Sequence, residues 1–202
     1  MNVSESGSAS RPTPVPGGRS ARDLCAISEL GDEATALLTA GDVPQRAFLA
    51  TLVEHELFSD AVRFIAHALP RREAVWWAWV CARKSAGAAP EPPIKAALDA
   101  TERWIVQPSE EHRRQAMAFG EAAEFGTPAG CAALAAFMSG GSLAPPEVDP
   151  VPPGEFLTAK AVAGSVTLAA ATVKPLEKSP ERFQEYIRLG IEVADRTKLW
   201  PA

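Results

Sequence analysis

The chain has 202 residues, 47% of them hydrophobic, a formal net charge of −5 and a sequence pI near 5.3. That length suits one domain with an extension, and the acidic balance excludes a nucleic-acid backbone as the expected partner, because that needs a basic face. The three cysteines, Cys25, Cys81 and Cys131, are far apart and form no CxxC. They therefore exclude a zinc knuckle and a thioredoxin-type pair and suit a reducing cytoplasm.

Residues 1–22 are rich in Ser, Pro, Gly and Arg and contain no apolar run. They read as a disordered extension without a secretory or twin-arginine signal. A single helical domain is expected over 23–202. Leu24, Ile27 and Leu30 form a first short turn. Asp32 is placed to cap a helix through Thr39, with Gly41 ending it. Asp42 caps the next, with Pro44 in its first turn, and Phe48, Leu49, Leu52, Val53 and Leu57 follow at helical spacing. Ser59 caps a helix carrying Val62, Ile65, Ala66 and Leu69. Pro70 opens a tryptophan-rich helix to Ala86, and Pro90, Pro92 and Pro93 separate it from a helix over Ile94–Val106.

Pro108-Ser109-Glu110-Glu111 is a helix start with acidic residues at the positive dipole end, and the helix runs to Phe125. Thr127-Pro128 opens an Ala-rich helix ending at Gly140-Gly141. The stretch 143–154 is a Pro-rich connector, extended and polyproline-like, of a length that crosses the outside of a bundle. Phe156–Lys174 and Pro180–Lys198 are the last two helices.

The uncharged runs Phe125–Pro146 and Ala161–Val173 are broken by Gly, Pro, Ser or Thr and fall short of a bilayer span. No strand pattern appears. The expected fold is all-α, an irregular bundle of about seven to nine short helices with no sheet.

The segment Arg71-Arg72-Glu73-Ala74-Val75-Trp76-Trp77-Ala78-Trp79 holds three of the five tryptophans. On a wheel of about 100° per residue, Ala74, Ala78, Cys81, Ala82 and Ser85 form a small-residue face. Trp77 and Trp79 flank that face and are expected in the core. Trp76 lies opposite, beside Glu73, Val80 and Arg83, with Arg72 or Arg83 able to stack on its ring. Arg72, Glu73, Trp76 and Arg83 are the candidate protein-binding residues.

No catalytic, cofactor-binding or metal-ligating set is expected. His55-Glu56 starts like the HExxH zinc signature, but the second histidine position is Ser59. His55, His67 and His112 fall on different helices, and Cys81 and Cys131 sit in apolar runs where thiols are inert. Gly164-Ser165-Val166 lacks the GxSxG elbow.

Arg72-Glu73-Ala74-Val75-Trp76-Trp77-Ala78, preceded by Leu52-Val53 and by Ala61 to Pro70, resembles an uncharacterised family of bacterial all-helical proteins associated with type VI secretion gene neighbourhoods. A weaker resemblance is to immunity-type helical domains, through Trp77-Ala78, Cys81-Ala82, Ala97 to Ala100 and Trp104. Those domains carry histidines in a late Ala-rich helix, whereas Ala159 to Val173 has none. The expected role is that of a cytoplasmic, non-enzymatic adaptor or accessory, in the secretion setting that the first resemblance implies, with another protein, not nucleic acid or membrane, as its partner. The alternatives are an immunity protein masking a toxin and an enzyme whose site assembles from dispersed His, Glu and Arg residues.

Overall fold

The computed structural model describes residues 19–38, 43–172 and 174–200. Most of the expected N-terminal extension, the expected helix end at Thr39–Gly41 and the expected cap at Asp42 lie outside them. Among the described residues there are ten α-helices and no strand: α1 (Ala21–Ser28), α2 (Asp32–Ala36), α3 (Gln45–Glu54), α4 (Phe58–Ala68), α5 (Arg71–Ala86), α6 (Pro92–Val106), α7 (Glu110–Ala122), α8 (Pro128–Phe137), α9 (Leu157–Ala171) and α10 (Ser179–Arg196). A single 3-10 turn, Leu176–Lys178, precedes α10. None of these helices is long and apolar enough to cross a membrane.

Helices α5, α8 and α9 pack on one another at the centre. On one side α6 and α7 close over α8. On the other, α4 and α10 lie against α9, and α1 and α3 pack outside α4. The centre is built from small side chains. Ala132, Ala133, Ala135 and Ala136 of α8 and Ala169 and Ala170 of α9 are fully buried. Small faces let helix axes approach closely, and Ala carries the highest helix propensity. Where the turn out of α7 passes the first turn of α8, a Cβ on Gly130 would collide with the Glu124 carbonyl oxygen, so only glycine fits there.

Local signals set several helix starts. The Ser109 hydroxyl accepts from the His112 amide at 3.1 Å, and the Thr127 hydroxyl from the Gly130 amide at 3.0 Å. Each satisfies an orphan donor of the first turn. Asp32 is the first residue of α2, preceded by Gly31, and α4 begins one residue before the expected cap Ser59.

The chain joins the domain earlier than Asp23. Ser20 and Asp23 form a capping box on α1, with Ser20 Oγ accepting from the Asp23 amide at 3.1 Å and Asp23 accepting from the Ser20 amide at 3.0 Å. Ala21 is buried, Arg19 pairs with Glu155 at 2.8 Å, and the Gln45 side chain donates to the Arg19 carbonyl.

The segment between α8 and α9 is not an extended crossover. The Leu143 amide donates to the Val151 carbonyl at 2.8 Å, and Ser142 Oγ accepts from the Ala144 and Val151 amides. The loop so closed is held by α7. Arg113, almost wholly buried, donates to the Phe137 carbonyl at 2.5 Å, to the Ser142 carbonyl at 2.7 Å and to both oxygens of Glu110. Arg114 adds a bond to the Ala144 carbonyl at 2.8 Å. Gly141, at φ 64°, passes so close that a Cβ would meet Glu110 and Arg113 within 3 Å.

The tryptophans of α5 separate. Trp77 is fully buried and donates from Nε1 to the Tyr186 carbonyl at 2.8 Å. A Cβ on Gly190 would stand 2.9 Å from its ring, so α10 rests directly on it. Trp79, expected in the core, is half-buried and donates to the Leu98 carbonyl at 3.0 Å. Trp76 is half-buried as well and packs against the core edge.

Two outcomes follow. In urea unfolding, Trp77→Ala is expected to cost roughly 3–5 kcal/mol, with Gly190→Ala losing about 1–3 kcal/mol by overpacking. Trp76→Ala and Trp79→Ala should each cost less than Trp77→Ala, and equal losses at all three would contradict the burial order. A chain beginning at Asp23 should melt below one beginning at Arg19, by an amount reflecting a lost cap of about 1 kcal/mol and the lost burial of Ala21. Identical melting would show that residues 19–22 contribute nothing.

Candidate functional site

The turn from α5 into α6 shapes the first candidate. Gly87, at φ 74°, ends α5, and Pro92 and Pro93 start α6 after a short link. The two helices pack side by side. Between their ends lies a cleft of about 220 Å³ lined by Trp79, Arg83, Pro90, Lys95 and Leu98 among others. It shares Asp99 and Glu102 with an open groove of about 560 Å³ that continues past Arg103 and Val106 to His112.

Arg83 lies over the Trp79 ring at 5.3 Å, the stacking that the wheel had allowed for Trp76. Lys95 pairs with Asp99 one turn along α6 at 2.5 Å. Val106, the last residue of α6, is 72% exposed, the highest value among the exposed large hydrophobic residues. Its end of the helix is fixed from two sides. Arg72 donates to the Ile105 carbonyl at 2.7 Å and the Val106 carbonyl at 3.3 Å, and His112 Nδ1 donates to the Gln107 carbonyl at 2.8 Å. Those bonds satisfy carbonyls that a helix C-terminus leaves free.

Of the four residues expected to bind a partner, Arg83 alone lines this groove. Arg72 does not line it but holds the end of α6 through the Ile105 and Val106 carbonyls. Glu73, half-buried on the first turn of α5, and Trp76 are not brought to it.

A second constellation was not legible as a site. His67, near the end of α4, is buried and lines two clefts. One, of about 170 Å³, also holds Arg19, Arg71, Glu155 and Phe156. The other, of about 450 Å³, holds Glu29, Arg63 and Lys160. His67 Nδ1 lies 2.8 Å from the Arg63 carbonyl, so it carries the proton, and Nε2 has no hydrogen-bond partner among the described residues. Burial pushes the imidazole below its usual range, so the ring is neutral at pH 7. This is the convergence of His, Arg and Glu that the enzymatic alternative asks for. However, among the described residues no hydroxyl or thiol bonds to His67, and Thr158 and Ser28 in the clefts donate to the Met138 and Leu24 carbonyls. The sequence signal was His67 itself, set in the buried stripe of α4 with Ile65 and Ala66.

The remaining reactive groups are structural. Ser165 donates to the Pro128 carbonyl at 2.8 Å and ties α9 to the start of α8. Among the described residues no group of three His, Cys, Asp or Glu side chains is placed to hold a metal. Burial raises the Cys25 thiol to about 11 and pushes Cys81 higher still; Cys131 is raised by the same cause. A thiol reagent at pH 8 should therefore leave all three nearly unreacted in the folded protein and modify them rapidly in urea. Fast labelling of any one without denaturant would show an activated thiolate.

In comparison with known proteins, a family of unknown function, DUF6931, matches residues 48–194, which runs from within α3 to the last turns of α10. No curated protein and no solved structure matches the chain. The match spans well over half of the sequence, and the chain belongs to this family of unknown function.

Proposed function

We propose that this protein is a non-enzymatic adaptor or accessory that docks another protein through the α5–α6 groove, working in the bacterial cytoplasm within type VI secretion. The secretion setting rests on the sequence resemblance carried by Arg72 to Ala78. The observation supporting a docking role is the pairing, along one open groove, of a half-exposed Trp79 stacked by Arg83 with the exposed Val106. Trp and Arg are the residue types that most often anchor protein interfaces. Lys95, Asp99, Glu102 and Arg103 give the groove a mixed charged rim, as interfaces have around an apolar centre. The bonds from Arg72 and His112 keep the groove wall rigid, so little ordering cost falls on binding.

The test is affinity capture from a native lysate with Arg83→Glu and Val106→Asp variants beside the unaltered protein. Both variants should keep the circular dichroism and melting temperature and lose the same captured partner. Leu176→Asp, at an exposed position outside the groove, should retain it. A partner retained by both groove variants would remove this surface as the docking site.

A further inference from the structure

The charges around His67 are unbalanced in a direction opposite to the whole chain. Overall the formal charge is −5. Yet the first cleft has Arg19 and Arg71 against Glu155, and the second has Arg63 and Lys160 against Glu29. The first wall carries one more cation than anion, and with Asp60 counted beside Arg63 the two clefts together hold four cations against three acids. Arg63 is further shared with Asp60, at 3.6 Å, and with the Glu29 carbonyl. Arg71 is oriented by the Ser139 carbonyl at 2.9 Å.

The acids that now meet these cations are easily displaced. Arg19–Glu155 and Lys160–Glu29 are exposed pairs, with side-chain exposures of 48%/62% and 47%/70%. Exposed pairs of this kind contribute little and exchange readily. Between them lies an imidazole whose Nε2 lone pair no described residue uses. A buried polar atom without a partner is uncommon and calls for an explanation, of which a bound water or ion is one.

We infer that the paired clefts around His67 form a binding site for a small oxyanion, a phosphate or carboxylate group, held by His67 with Arg19, Arg71 and Lys160. The anion takes the place of Glu155 or Glu29 against the cations. His67 then takes up one proton from solvent and donates from Nε2 to the anion, while Nδ1 keeps its bond to the Arg63 carbonyl. Phe156 lies against the imidazole, centroid to centroid at 5.8 Å, and Arg19 in turn lies 5.7 Å over the Phe156 ring. Rotation of these two side chains breaks no helical hydrogen bond. Without an anion, burial is the largest opposition to protonation of His67; the bond to the Arg63 carbonyl favours it, Lys160 and Arg19 oppose it, and Glu29 favours it. An anion reverses that balance, so binding strengthens as pH falls and weakens as pH rises.

Imidazole NMR of the full chain tests this, since His55, just past the end of α3, and His112, on α7, serve as internal controls. The probes are inorganic sulfate, whose charge is constant between pH 5 and 8 and which presents phosphate-like oxygens, and acetate for the carboxylate. Ionic strength is held with chloride. Saturable shifts of the His67 signals with either probe, and a rise of about one unit in its titration midpoint, support the site. By linkage that rise equals about tenfold tighter binding to the protonated form. The probe that acts identifies the group. Arg19→Gln should weaken binding several-fold, and His67→Gln should leave an anion affinity that no longer depends on pH. His67 signals unmoved by both anions, or moved only in parallel with His55 and His112, would overturn the inference, and this readout needs no variant to fold.

Discussion

The position of α10 depends on one contact, the Trp77 ring against the missing side chain of Gly190. The ring fills the space between α5 and α10 so completely that a single methyl at Gly190 would meet both Trp77 and Ile65 at about 3 Å. The Nε1 bond to the Tyr186 carbonyl, one turn earlier on α10, then fixes the sliding register of the two helices. A buried indole needs such a partner, since an unpaired N–H in a dry core costs about 1–3 kcal/mol. Packing and hydrogen bonding thus select the same placement of α10, and with it the burial of Phe183, Ile187 and Val193.

The opposite side of the molecule is organised by a charge. Arg113 is buried, and its guanidinium is used on every side: the Glu110 carboxylate, two backbone carbonyls, and the Phe137 ring at 4.4 Å. Burying an arginine is unfavourable unless its donors are satisfied. Here the fork meets them, and it holds the Glu110 carboxyl below the usual carboxylate range. The same loop runs on to Glu155 and Phe156, so α7 indirectly sets the edge of the His67 clefts.

Features encoded by neighbours in sequence were legible. Helices start at Ser109-Glu110 and Thr127-Pro128 as read, Pro70 precedes α5, α5 ends at Ala86 as read, and of the expected small face Ala74, Ala78, Cys81 and Ala82 are buried and Ser85 half-buried. What failed depends on distant partners. Arg83 stacks on Trp79 and not Trp76, because α6 lies along that side and offers the Leu98 carbonyl to the indole. Arg72 caps a helix more than thirty residues away. The proline-rich stretch looked extended because proline favours that backbone locally, whereas Ser142 and the two arginines of α7 fold it back. The His67 clefts draw on α1, α4, α5, α9 and residues flanking them, which no periodicity in one segment could reveal.

That folded-back loop has a consequence for chain continuity. Val148 stands exposed at its outer part, while its base is pinned by Arg113 and Arg114 of α7, which donate to the Phe137, Ser142 and Ala144 carbonyls. Helix α9, on its far side, is gripped by α4, α5, α8 and α10. A protease nick near Val148 would sever the polypeptide without releasing either piece, and the two fragments would travel as one particle until denaturant parted them.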